Sequence, residues 1–160
     1  MKTIISTGML LLAVITGSFL EVIVFMAVYQ PLRGSCGGYH AKTRISCILF
    51  SLGMLSLIIC LTKILTDSLL MIVSLIFLFI GSGSIIFLAP VDTASKPFDE
   101  KERIVYRKRS FVILAIICCI YIVFYLGDYH KIYFPVSYGI FMAGILLIIG
   151  YYDKRAENKV

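Results

Sequence analysis

Charge is scarce in this chain. Of its 160 residues only 15% are Asp, Glu, Lys or Arg, while 60% are hydrophobic, and the mean hydropathy is +0.98. Soluble domains carry about 25% charged and about 45–50% apolar residues. Polar surface this sparse does not cover a water-exposed globule, so the composition points to an integral membrane protein. At this length it reads as one domain, residues 1–160.

Other absences narrow the chemistry. There is no Cys-x-x-Cys motif, which a thiol-redox membrane protein would want. No His-Glu-x-x-His helix is present, which disfavours an intramembrane metalloprotease. The five cysteines are odd in number and irregularly spaced. Cys60, Cys118 and Cys119 sit in apolar runs, where a free thiol packs as a small hydrophobe. Cys36, His40 and Cys47 lack a fourth ligand and a recognised zinc spacing, so neither metal nor other cofactor is expected. Internal repeats and low-complexity segments are missing too.

What the chain does have is apolar runs, at roughly 3–30, 45–65, 68–89, 110–127 and 132–152. A membrane span needs about 20 apolar residues, and a segment inside lipid must be helical to satisfy its own backbone. The expected fold is therefore all-α, a polytopic membrane bundle of about five to six transmembrane or re-entrant helices. The first run is long for one span, and Thr16-Gly17-Ser18 offers a bend that would turn it into a hairpin. Glu21 lies just beyond that bend, and an ionisable group at membrane depth is a functional candidate, or a carboxyl paired with a neighbour.

The net charge of +6 collects between the runs. Loop 31–46 holds Arg33, Lys42 and Arg44; loop 90–109 holds Lys96, Lys101, Arg103, Arg107, Lys108 and Arg109; the tail holds Lys154, Arg155 and Lys159. Positive-inside counting puts these on the cytoplasmic side, and the turns with Lys63 and Asp67, and with Asp128, His130 and Lys131, outside. His130 reads as an interfacial residue.

Nearly all the reactive side chains fall in "RGSCGGYHAKTRISC", residues 33–47. Pro31 is expected to end the first helix, because it has no N–H and disfavours helical geometry before it. Cys47 then stands in the first turns of the next helix. A thiol near a helix N-terminus, flanked by cations such as Arg44, gains thiolate character. His40 supplies a base that works at neutral pH, and Cys with His is the minimal nucleophile–base pair. Residues seven apart on one helix stand about 10 Å apart along its axis, so a catalytic His40 must sit in a turn folded back on the helix. Gly37-Gly38 permits such a turn. A polar loop without chemistry is the competing reading of the same residues.

This stretch resembles the signature of the accessory gene regulator B (AgrB) family. The pattern is an arginine, then Gly-Gly-x-His-Ala, then a cysteine seven residues after the histidine, matched by Arg33, Gly38, His40, Ala41 and Cys47. "APVDTASKPF" is similar to the family's Ala-Pro … Lys-Pro loop through Ala89, Pro90, Lys96 and Pro97. The resemblance implies a membrane cysteine endopeptidase that processes an AgrD-like quorum-sensing precursor peptide, in the bacterial cell membrane, with a homodimer expected. Cys47 would be the nucleophile and His40 the base. The acyl-enzyme would be a thioester, and attack by a precursor thiol would close a thiolactone autoinducer. Gly37, Gly38 and the start of the Cys47 helix are candidate oxyanion donors by position. Arg33 holds a substrate carboxylate, fixes the loop, or simply anchors the membrane face.

Lys96, Pro97, Lys101, Arg103 and Arg107 are candidates for the acidic precursor tail. Anionic lipid headgroups are the other reading of the same cations. The rival function is a non-catalytic membrane component, such as an export or scaffold subunit. It would want polar residues along a path through the spans, and beyond Glu21 and Lys63 there are almost none.

Overall fold

The structure, a computed structural model, describes residues 17–37, 44–91 and 99–157. These form five helices in chain order: α1 (Phe19–Cys36), α2 (Arg44–Ile64), α3 (Asp67–Leu88), α4 (Glu100–Leu126) and α5 (His130–Glu157). No strand is present among the described residues, beyond one isolated bridge between Gly37 and Val91. The fold is all-α, as the composition requires. Three helices, α3, α4 and α5, are long and apolar enough to cross a membrane. Helix α2 has 21 residues, about 31 Å at 1.5 Å per residue, close to the hydrocarbon thickness. The bend expected at 16–18 and the run before it lie, except for Gly17 and Ser18, outside the described residues.

Two tight turns make α2 through α5 an up-and-down series. Leu65 and Thr66 join α2 to α3. Gly127–Tyr129 joins α4 to α5, and there Asp128 takes a left-handed conformation with φ 55°. The Tyr129 N–H donates to Phe124 O at 3.0 Å and the Asp128 N–H to Tyr125 O at 3.2 Å. This is the double closure that satisfies the last carbonyls of a helix and reverses the chain. His130 Nδ1 stands 3.9 Å from Asp67 Oδ1, so both turns share one end of the bundle. The other end collects the C-termini of α1, α3 and α5 and the N-termini of α2 and α4.

Helix α5 is the centre. Of its apolar stretch 72% is buried, against 22% in each of α3 and α4. Small residues let its neighbours approach. A Cβ on Gly81 of α3 would stand 2.7 Å from the Ile140 and Phe141 backbone, and one on Gly144 would stand 3.0 Å from Gly81. Small residues at crossings are how helices gain dispersion contact where water supplies no driving force. Phe77 stacks on Phe141 at 4.2 Å between centroids. Tyr138, fully buried, donates its hydroxyl to Met54 O at 2.9 Å and ties α2 to α5. The outward sides of α3 and α4 expose Phe79, Phe87, Val112, Ile116 and Val123, as lipid-facing helices do.

Candidate functional site

The end of the bundle that carries the glycine-rich sequence is built by α1. This helix does not stop at Pro31 but runs through it to Cys36. A proline in a helix interior removes a hydrogen bond and crowds the preceding turn. Burial of Leu32, Ser35 and Cys36 beyond it outweighs that local penalty. The added turn carries Arg33 back over Tyr29. The guanidinium carbon lies 5.7 Å from the Tyr29 ring centroid, and Nη1 donates to the Tyr29 hydroxyl. Arg33 is thus oriented by an aromatic one turn earlier on its own helix.

Gly37 ends α1 and fastens it to a distant segment. Its φ is 73° and its ψ −143°, a region essentially reserved for glycine. The Gly37 N–H donates to Arg33 O at 3.2 Å, and the Val91 N–H donates to Cys36 O at 3.1 Å. A Cβ on Gly37 would fall 2.3 Å from Val91 O, so the two backbones meet only because a side chain is missing. Val91 follows the cis Ala89-Pro90 bond directly after α3. The two motif-bearing segments, 33–47 and 89–98, therefore start side by side.

Below this contact the Cys36 thiol is buried against α4, beside Ser110. Cys36 stands at the end of α1, past Arg33 and outside the spans. Burial pushes its thiol above the ordinary cysteine range, and the Ser110 contact opposes this only partly. Ser110 in turn donates its hydroxyl to Tyr106 O at 2.9 Å. Cys36 is therefore a packed thiol.

Cys47 lies in the first turn of α2, as expected, though its side chain lies outside what the structure describes. The first N–H groups of a helix have no intrahelical partner and carry its positive partial charge. His40, Gly38 and Ala41 fall between Gly37 and Arg44, outside the described residues, and Lys96 and Pro97 likewise fall outside them. Gly37 has its N–H engaged with Arg33 O, so in this arrangement it shapes the loop entry.

The basic segment is not a loop throughout. Helix α4 starts at Glu100, so Lys101, Arg103, Arg107, Lys108 and Arg109 are helical and exposed. The sequence expectation drew the boundary at the first apolar residue, but charged residues continue a helix once it leaves the membrane. Arg103 stands two turns before Ser110 and so shares the bundle-facing side of α4. Arg107 lies near that side, over the Phe111 ring at 5.7 Å. Lys101 falls on the opposite side. Tyr29, Val91 and Ser110 were missed from the sequence. The spacing of Tyr29 and Arg33, one turn apart, was a usable signal; nothing in the sequence marks Val91 or Ser110. Glu21 sits in the first turn of α1, and His130 lies by Asp67 at the opposite end of the bundle.

A family model described as accessory gene regulator B matches residues 1–149. Comparisons with curated proteins and with solved structures each find no match.

Proposed function

The chain belongs to the accessory gene regulator B family, and on that premise we propose that it is a membrane cysteine endopeptidase that cuts and cyclises a peptide precursor. Membership gives it a role in the agr quorum-sensing system and an association with an AgrD-type precursor peptide. The observation that carries the finer reading is the Gly37–Val91 contact. It supports a single site in which the histidine–cysteine motif and the Lys-Pro segment act on the same substrate.

In that reading the Cys47 thiol, at the positive end of α2, gives its proton to His40 and attacks a precursor carbonyl. The N–H groups at the start of α2, with that of Gly38, are the donors this reading gives to the developing oxyanion. Collapse breaks the C–N bond, His40 returns the proton to the leaving amine, and the C-terminal tail departs. What remains is a Cys47 thioester. A precursor thiol then attacks it, releasing Cys47 and closing a thiolactone. Thioester exchange is nearly balanced, and a held thiol has an effective molarity that outcompetes water. Arg103 and Arg107, with Lys96 and Pro97, are the partners for an acidic tail; Arg33, held over Tyr29, orients the loop. The cation distribution supports a cytoplasmic position for this end.

The test is cleavage of a tagged AgrD-type precursor by the purified protein in nanodiscs. Wild type should release the tail and show a precursor–enzyme thioester by mass spectrometry. Cys47→Ala and His40→Ala should abolish both, while Cys36→Ala keeps cleavage. Tail release by Cys47→Ala would sink the proposal.

A further inference from the structure

Helix α4 is longer than a membrane requires. Its 27 residues extend about 40 Å, against about 30 Å of hydrocarbon. The apolar part lies towards Leu126, so the excess is the opening stretch Glu100–Arg109. Asp99, Glu100 and Glu102 occupy its very start, where the helix's positive partial charge favours acids. Arg107, Lys108 and Arg109 follow without an acid among them and adjoin the apolar segment directly.

Helix register divides these cations between two faces. Ser110, Leu114, Ile117 and Tyr121 are buried and mark the side of α4 that faces the bundle. Arg103 belongs to that side and Arg107 to its border. Lys101, Val105, Lys108 and Val112 recur at the spacing of one helix face, and that face points the other way. Arg109 and Ile104 flank it. The surface around these cations is apolar: Val105 is 63% exposed and Val112 59%, and Ile116 and Val123 continue the same side towards the far end. A soluble acidic peptide has no reason to approach across such a surface. A lipid headgroup, whose acyl chains lie along it, does.

We propose that the outward face of the first turns of α4, with Lys101, Lys108 and Arg109, binds the phosphate headgroups of anionic phospholipids. Val112, one turn deeper than Lys108, sits at the upper acyl carbons, Val105 lies within the headgroup layer between Lys101 and Lys108, and the long basic stems reach outward to the phosphates. Lys101 and Lys108 are about 10 Å apart along the axis, which matches the depth of a headgroup layer. The sequence left peptide and lipid as rival partners for one basic segment; register assigns them opposite sides of the same helix. The proposal requires membrane insertion but not the catalytic mechanism, so the two fail independently.

The chain contains no tryptophan, so Val112→Trp creates a sole indole on the proposed face, excited apart from the tyrosines. Reconstituted into phosphatidylcholine vesicles, it should be quenched more by brominated phosphatidylglycerol than by brominated phosphatidylcholine at equal mole fraction. That preference should weaken in high salt. Lys108→Gln and Arg109→Gln should each reduce it by roughly fivefold, whereas Arg103→Gln with Arg107→Gln should leave it unchanged. Val123→Trp, on the same face at the far end of α4, should show no such preference. If Val112→Trp does not insert, Ile116→Trp, one turn deeper on the same side, makes the same measurement. Equal quenching by the two lipids overturns the proposal. So does a preference lost through the bundle-facing arginines and not through Lys108 and Arg109, which would return the anion site to the peptide side.

Discussion

Replacing Gly37 with alanine should open the contact between the two motif segments without unfolding the bundle. At φ 73° and ψ −143° an L-residue other than glycine is strained by about 1–3 kcal/mol. The new Cβ would also stand 2.3 Å from Val91 O, so Val91 must withdraw. Its N–H then loses Cys36 O, a bond worth about 1 kcal/mol net. Together this is about 2–4 kcal/mol against the closed contact, or roughly 30- to 700-fold in its opening equilibrium. The core around α5 is untouched, since the α1 residues that pack on it, Phe25 and Val28, lie more than two turns before Gly37. Hydrogen exchange followed by mass spectrometry should therefore show the peptide containing Val91 exchanging faster by that factor. Peptides from the α2–α3 turn, where the Leu70 N–H donates to Thr66 O, should keep the wild-type rate. Precursor cleavage should fall in parallel. Gly34→Ala is the control: its Cβ meets nothing within 4 Å, and inside a helix alanine is favoured by roughly 0.5–1 kcal/mol. Unchanged exchange at Val91 in Gly37→Ala, or equal acceleration in Gly34→Ala, would refute the reasoning.

Two further outcomes follow from the packing. Gly81→Ala places a Cβ 2.7 Å from the Ile140 and Phe141 backbone and should cost about 1–3 kcal/mol through overpacking, lowering the midpoint of denaturation in mixed micelles; Gly83→Ala, whose Cβ meets nothing within 4 Å, should not. For Cys36, burial raises the thiol's pKa, so it stays protonated to higher pH in the folded protein. Alkylation read by mass spectrometry should then require higher pH in the folded than in the unfolded chain, and Ser110→Ala, by removing the opposing contact, should widen that gap.

The elements most legible in sequence were those governed by the membrane. The four apolar runs after the first each became a helix, those at 45–65 and 68–89 within a residue of their expected limits, because a backbone in hydrocarbon has no alternative to internal hydrogen bonding. The limits that were misjudged lie where that constraint ends. Pro31 was expected to stop α1, and burial of Leu32 and Cys36 carried the helix onward. The basic stretch before Ser110 looked like a loop, yet α4 continues through it, since Lys, Arg and Glu are good helix formers once in water.

The sequence by itself determined that this is a membrane helix bundle, which runs are helical, where the cations gather, and that one cysteine opens a helix beneath a glycine-rich, histidine-bearing segment. These are local properties, set by hydropathy, charge and spacing along the chain. Only the tertiary structure decided that α5 is the buried centre, that Gly37 lies against Val91, that Cys36 is packed on Ser110, and that the cations of α4 divide between two faces. Each of these depends on which helix surfaces meet, and in a chain where nearly every residue is apolar, hydropathy does not distinguish a surface that meets protein from one that meets lipid. Close packing around glycines and a few buried hydroxyls makes that distinction.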